Sequence, residues 1–267
     1  MSKLLEGKRG IITGVANERS IAWACAKFFA EQGAKLVFSY LGEAQEKRMN
    51  KLLESIPGAK CYPCDVSNDD EIKGFFDFIK DDWGTFDFMI HSIAFADKSD
   101  LGGRFVNISR ENFLMAIEIS AYSLVGLTRE AEPLMNEGGS IVCMSYYGAE
   151  KVIPGYNVMG VAKATLESTT KYLAEDLGPK SLRINCVSAG PVRTLSSAAI
   201  SGFRGMLSLA SDHAPLRRNI TQDEVAKTTA YLISDLASGV TGEIHHVDAG
   251  YNVIGMKNVN APDISKV

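Results

Sequence analysis

The sequence predicts an α/β protein built on one doubly wound, parallel seven-stranded sheet. Short apolar runs alternate with helical stretches from end to end, and the runs are apolar throughout rather than every second residue. Strands covered on both faces by helices read that way. No linker or shift in composition interrupts the 267 residues, so residues 1–267 are expected to form a single domain.

In order, "RGIIT" (9–13) opens the sheet and a helix follows over about 20–32, closed by Gly33. "KLVFS" (35–39) is the second strand, followed by a charged helix at about 43–54 and the strand "KCYPC". A helix at about 68–82 leads to "FDFMIHS" (86–92), and a long helix at about 110–132 precedes "SIVCMS" (140–145). The helix 155–178 comes next, then "LRINCVS" (182–188), a long segment, a helix at about 222–235 and "GEIHHVD" (242–248).

Charge and composition exclude several function classes. With 46% apolar and 22% charged residues the chain is of ordinary globular type, and its net charge of −4 is spread without a Lys/Arg block, which argues against nucleic acid. No apolar run approaches the roughly 20 residues that cross a bilayer, so no membrane association and a cytoplasmic location are expected. Five cysteines, an odd number, fit a reducing compartment. Cys61 and Cys64 form a CxxC, but they point to opposite faces of a strand and no second ligand pair accompanies them; no metal is expected.

The segment 190–215 is too long for an ordinary connection and follows a strand's C-terminal end, where open α/β sheets bind ligands. The apolar spacing of Ile200, Phe203, Met206 and Leu207 predicts short helices lying over a pocket as a substrate lid, with a tolerated surface insertion as the alternative.

The first turn, "TGVANERSIA", has the parts of a phosphate cradle. Gly14 permits a tight turn, Ser20 is a good helix cap, and the helix start carries partial positive charge where a pyrophosphate would sit. It lacks the usual later glycines, having Ala16, Ser20 and Ala22 instead, so by itself it is also compatible with an ordinary strand–loop–helix. The second strand ends in Tyr40 and Leu41 with neither sign of charge at its tip; without a basic partner for a 2′-phosphate, NADH is favoured over NADPH. Asp65 closes the third strand, ahead of Val66, placed for the adenine end or for starting the next helix beside Ser67.

Residues 154–164 read "PGYNVMGVAKA": Tyr156 and Lys163 are separated by six residues, and the position four before the lysine is Met159. On one helix the pair would share a face about 10 Å apart along the axis, against about 6 Å for the more common Tyr-x-x-x-Lys. A tyrosine one turn further away places its hydroxyl at a different point, with Met159 as an apolar wall between.

Together "TGVANERSIA", "HSIAFA" (91–96), "SYYGAEKVIPGYNVMGVAKA" (145–164) and "SAGPVRTL" (188–195) resemble the bacterial NADH-dependent enoyl-acyl-carrier-protein reductases, a divergent branch of the short-chain dehydrogenases with a Rossmann-like fold. The likeness spans about residues 2–256. It implies hydride addition from NADH to the β-carbon of a trans-2-enoyl thioester, the last reductive step of fatty-acid elongation. Tyr156 would donate to the thioester oxygen, and Lys163 would hold the nicotinamide ribose and favour phenolate character in the tyrosine. Tyr146 would line the pocket or assist proton delivery. Ser20 and Ile21 would contact the pyrophosphate, Ile93 the adenosine side, and Val192 with Thr194 the nicotinamide or diphosphate. Ala96 would sit against the acyl thioester.

The resemblance further implies an acyl carrier protein as partner, with Arg204 the one cation that the lid helix "SGFRGML" supplies, a homotetramer, and inhibition by hydroxylated diphenyl ethers. His91 is expected to be a structural hydrogen-bonder, and His213, His245 and His246 show no ligand spacing. Two alternatives stay open: a 3-oxoacyl or other carbonyl reductase, which Ser145 keeps alive, and a nucleotide-binding regulator without turnover.

Overall fold

The computed structural model describes residues 3–194 and 203–256, without the side chains of 203 and 204. Seven strands, β1 (Arg9–Thr13), β2 (Lys35–Tyr40), β3 (Lys60–Pro63), β4 (Phe86–His91), β5 (Met135–Ser145), β6 (Arg183–Ala189) and β7 (Ile244–Val247), form one sheet. Their order is β3-β2-β1-β4-β5-β6-β7, and every neighbouring pair is parallel. The chain runs outward from β1 to β3, then returns to β4 on the other side of β1. That reversal is where ligands of open sheets bind.

Helices cover both faces, which is why the central strands are apolar on both sides, while the edge strands β3 (KCYP) and β7 (IHHV) are less so. α1 (Ile21–Glu31) and α8 (Gln222–Ile233) enclose Ile12, Phe38, Phe88 and Val142 on one face. α3 (Asp69–Trp83), α5 (Ser123–Ala131) and α6 (Val158–Leu177) enclose Ile11, Val37, Met89 and Ile141 on the other. Adjacent residues such as Ile11 and Ile12 thus enter opposite cores, as the strand's period of two requires. At Gly10 a Cβ would come within 2.0 Å of the Phe88 ring, so that glycine lets two neighbouring strands carry one large side chain between them. Buried Arg183 donates from Nη1 to Leu232 O at 2.7 Å and from Nη2 to Ser234 O at 3.2 Å, supplying donors to the carbonyl end of α8.

α2 (Gly42–Leu53) lies where the charged helix is expected, and the boundaries of α1, α2, α3 and α8 fall within two residues of their predicted limits. Three differences bear on the site. The helix expected over 110–132 is divided into α4 (Arg110–Ile117), a π-helical turn at Glu118–Tyr122, and α5. β5 begins at Met135, five residues early, with a register irregularity opposite Phe86 and Phe88. α6 begins at Val158 rather than 155, which leaves Tyr156 outside it. α7 (Phe203–His213) supplies one of the short helices expected over 190–215; the rest of the expected lid, including Ile200, lies in 195–202, outside the described residues.

Candidate active site at the C-terminal edge of the sheet

The site is assembled where β1, β4, β5 and β6 end. Gly14 follows β1 with φ +81°, and a Cβ there would stand 2.1 Å from the Ser92 carbonyl oxygen. The first turn therefore presses directly on the end of β4. Ser20 caps α1, accepting from Trp23 N at 3.2 Å and donating to Asn17 O at 2.8 Å. Ile21 begins the helix, and its first turn holds no acidic residue to repel a phosphate. The close-fitting glycine and the capped helix start together fit the pyrophosphate of a dinucleotide.

The adenosine end is less bare than the sequence predicts. Leu41 is exposed and its N–H donates to Gln45 Oε1 at 2.8 Å, but Arg48, one turn further along α2, reaches back to donate to Ala16 O at 2.6 Å. A cation thus stands beside the first loop that the β2 tip itself does not reveal. Asp65 is engaged in starting the next helix, accepting from the N–H and hydroxyl of Ser67 at 2.9 and 2.7 Å. Val66 is buried in the core and Ile93 packs against the same cluster. Val192 is buried and Thr194 half-buried at the end of β6.

Tyr146, just past β5, meets Tyr156 edge to face, with ring centroids 4.9 Å apart and planes at 78°. Its hydroxyl donates to Met206 Sδ of α7 at 3.4 Å, and burial pushes that phenol up to about 12. Tyr156 is half-buried against the backbone of Gly148, where a Cβ would lie 2.5 Å from its ring; Gly160 likewise admits the Gly148 carbonyl, 2.8 Å from where its own Cβ would be. Phe203 falls at the start of α7 and its side chain, like that of Arg204, is not described.

The expectation that Tyr156 and Lys163 stack on one helix is corrected here. Tyr156 occupies the turn before α6, between Gly155 at φ +79° and Asn157 at φ 42°, ψ −122°. A non-glycine residue held there stores about 1–3 kcal/mol of strain. The expected phenolate character is corrected as well. Burial raises the Tyr156 phenol above its ordinary range, with Tyr146 and Glu167 adding to the effect, so it stays protonated.

Lys163 is buried and donates from Nζ to Met144 O at 2.7 Å. Burial lowers its pKa, partly opposed by Cys143, Cys186 and Glu167. Met159 is buried on the first turn of α6, with its sulfur 3.9 Å from Ser120 Oγ. It fills the place four residues before the lysine. Ser145 donates to Glu167 Oε1 at 2.5 Å, which commits its hydroxyl to a buried carboxylate.

Several contributors leave no recognisable mark in the sequence. Ser120, in the π-turn, accepts from Phe95 N at 3.0 Å and donates to Phe95 O at 3.1 Å, pinning the loop next to half-buried Ala96. π-Turns often mark functional positions, but no sequence pattern announces one. Tyr147 instead packs on Tyr251 and His246, away from Tyr156.

His91 is fully buried with Nε2 2.8 Å from Ser123 Oγ, whose own proton goes to Ile119 O at 2.7 Å. Nε2 must then carry the hydrogen, and Nδ1 has no partner. Burial first, and then the charge of Lys163, lower its pKa from 6.5 to about 3. The unfolded chain takes up this proton below pH 6.5 and the folded chain does not until about pH 3. Stability from this group is complete above pH 6.5 and is lost as pH falls across that window. Urea midpoints measured between pH 7 and 4 should fall less steeply in His91→Gln than in wild type.

A family model described as enoyl-(acyl carrier protein) reductase matches residues 14–252. A Rickettsia typhi protein named enoyl-[acyl-carrier-protein] reductase [NADH] is 52% identical over 254 residues, covering 95% of this chain and 97% of that one. A Bacillus cereus reductase of the same name is 49% identical over 255 residues, 95% of this chain and all of that one. Among solved structures, the Anaplasma phagocytophilum reductase in complex with NAD superposes with a TM-score of 0.92 at 49% identity, covering 98% of each chain. The Bacillus cereus reductase with NADP+ and an indole naphthyridinone gives 0.93 at 49% identity, covering 95% of this chain and all of the other. With a full-length fold match and relatives near half identity, the chain belongs to the enoyl-(acyl carrier protein) reductase family.

Proposed function

We propose that Tyr156, Lys163 and Tyr146 carry the reduction of the trans-2 double bond of enoyl-acyl-carrier-protein thioesters, with NADH as reductant. The observation that carries this reading is the placement of Tyr156, wedged between Gly148 and the ring of Tyr146 at the C-terminal edge of the sheet. NADH, when bound, supplies the hydride that reduces the β-carbon. As charge builds on the thioester oxygen, the Tyr156 hydroxyl donates to it; one preorganised donor of this kind is typically worth about 10²–10³ in rate. Tyr146 fixes the wall against which Tyr156 rests and lies beside the pocket as the enolate is protonated at its α-carbon. Lys163, held at Met144 O, would hold the nicotinamide ribose hydroxyls. Gly14, Ser20 and Ile21 would hold the pyrophosphate, Val192 and Thr194 the diphosphate or nicotinamide, and Leu41, Asp65, Val66 and Ile93 the adenosine. Ala96, Met159, Phe203 and Met206 would enclose the acyl chain, with residues 190–215 as its lid in a single domain.

Two features support an enoyl over a carbonyl substrate. Met159 occupies the place of the commoner catalytic tyrosine, and Ser145 is bound to Glu167 rather than free to polarise a ketone. A homotetramer, docking by an acyl carrier protein, a cytoplasmic location and inhibition by diphenyl ethers complete the proposal, on family resemblance. Among the described residues no helix is long and apolar enough to cross a membrane. The test is NADH absorbance with trans-2-enoyl and 3-oxoacyl thioesters in parallel. Oxidation with the enoyl substrate alone is expected; turnover of the oxo substrate alone would transfer the protein to the carbonyl reductases, and tight NADH binding with neither turned over would make it a regulator.

A further inference from the structure

The residue after Tyr156 is conformationally unusual and has an unusual set of partners. Asn157 sits at φ 42°, ψ −122°, immediately before α6. Asparagine in that place normally accepts a hydrogen bond from its own helix. Here it caps nothing. Its Nδ2 turns away and donates to Asp100 O at 3.1 Å and Gly102 O at 3.2 Å, with Gly103 O at 3.5 Å sharing the same two hydrogens. These three carbonyls belong to the segment that continues from the Ala96 loop, itself pinned by Ser120. One amide thus links the turn presenting the tyrosine to the loop expected to face the acyl thioester.

We propose that Asn157 is a positioning residue for the reduction: its amide, bonded to the carbonyls of residues 100–103, holds the strained turn that aims Tyr156 and ties its placement to the substrate loop. The inference rests on Tyr156 being the proton donor. A backbone so close to the reacting phenol has direct leverage, because Asn157 and Gly155 set the path of the chain on either side of it, and the ring's other contacts, Gly148 and Tyr146, lie on a different segment. Displacing a reacting group by about 1 Å is enough to lower a rate by 10²-fold.

The experiment is a double-mutant cycle on trans-2-enoyl thioester reduction, using Asn157→Ala, Asn157→Asp and Asn157→Gly with and without Tyr156→Phe. Asn157→Ala loses the amide and tolerates the positive φ poorly, and Asn157→Asp aims a carboxylate at three carbonyls; each should lower kcat about 10- to 100-fold. Asn157→Gly accepts the backbone but lacks the anchor, and should fall between these and wild type. NADH affinity, read by fluorescence, should change less than about twofold, since the interaction lost acts on the transition state. In Tyr156→Phe none of the three should lower kcat further, because the group they aim is gone. The Tyr156 signal in a [13C]tyrosine NMR spectrum, identified by its loss in Tyr156→Phe, should shift in Asn157→Ala without turnover.

Wild-type kcat in Asn157→Ala and Asn157→Gly would overturn the proposal, as would a full multiplicative loss in the Tyr156→Phe background. If Asn157→Ala fails to fold, Asn157→Gly decides between the same outcomes. Undiminished turnover in Tyr156→Phe alone would instead overturn the reading of Tyr156 as donor.

Discussion

Tyr156→Phe is expected to lower kcat with a trans-2-enoyl thioester by about 10²–10³-fold while leaving the affinity for NADH unchanged. The substitution removes one hydroxyl and keeps the ring, so packing against Tyr146 and Gly148 survives. The hydroxyl is a donor and not a charge, because burial holds the phenol above its usual range. Raising the pH through the ordinary tyrosine region should therefore not reproduce the mutant. A lysine with a lowered pKa loses its charge before such a tyrosine does. The alkaline loss of activity is expected as weakening NADH affinity, read as KM against pH, rather than as a fall in kcat.

Gly14→Ala is expected to abolish NADH binding and to destabilise the fold by several kcal/mol, on the order of the largest single-substitution effects. Its Cβ would stand 2.1 Å from the Ser92 carbonyl oxygen, a backbone atom at the end of β4 that cannot swing aside. Gly58 supplies the control. It has the same φ of +81° but nothing within 4 Å, so Gly58→Ala bears the conformational cost alone, about 1 kcal/mol. The difference between the two urea midpoints isolates the steric contact that brings the first turn against β4. NADH fluorescence enhancement should vanish in Gly14→Ala and persist in Gly58→Ala. Equal midpoints would mean that the turn has room the structure denies it.

Most of the sheet was legible because its central strands carry apolar runs, unlike the edge strands KCYP and IHHV, and several helices have a chemical start. Ser20 and Asn68 cap α1 and α3 through their side chains, and Thr221 with Glu224 forms a capping box for α8. What stayed hidden depends on long-range geometry. The spacing of Tyr156 and Lys163 reads as two helical turns, yet the positive φ of Asn157 takes the tyrosine off the helix, and asparagine in a sequence does not declare that conformation. The π-turn at Glu118–Tyr122 reads as plain helix because its extra residue leaves no compositional mark. Arg48 escapes notice because α2 folds it back to Ala16, while sequence rules look at the strand tip itself. Local chemistry therefore pointed to the candidate site, and tertiary contacts set the geometry of its residues.

The Tyr156 hydroxyl is expected to act while the hydride moves, by stabilising charge on the thioester oxygen. A single-turnover measurement addresses it most directly: preformed enzyme–NADH complex is mixed with excess trans-2-enoyl thioester in a stopped-flow instrument, and the loss of NADH absorbance is followed for wild type and Tyr156→Phe. This first turnover should slow by about 10²–10³-fold in the variant, matching the fall in kcat. A first turnover as fast as wild type, followed by slow cycling, would contradict it and move Tyr156 to a step after hydride transfer.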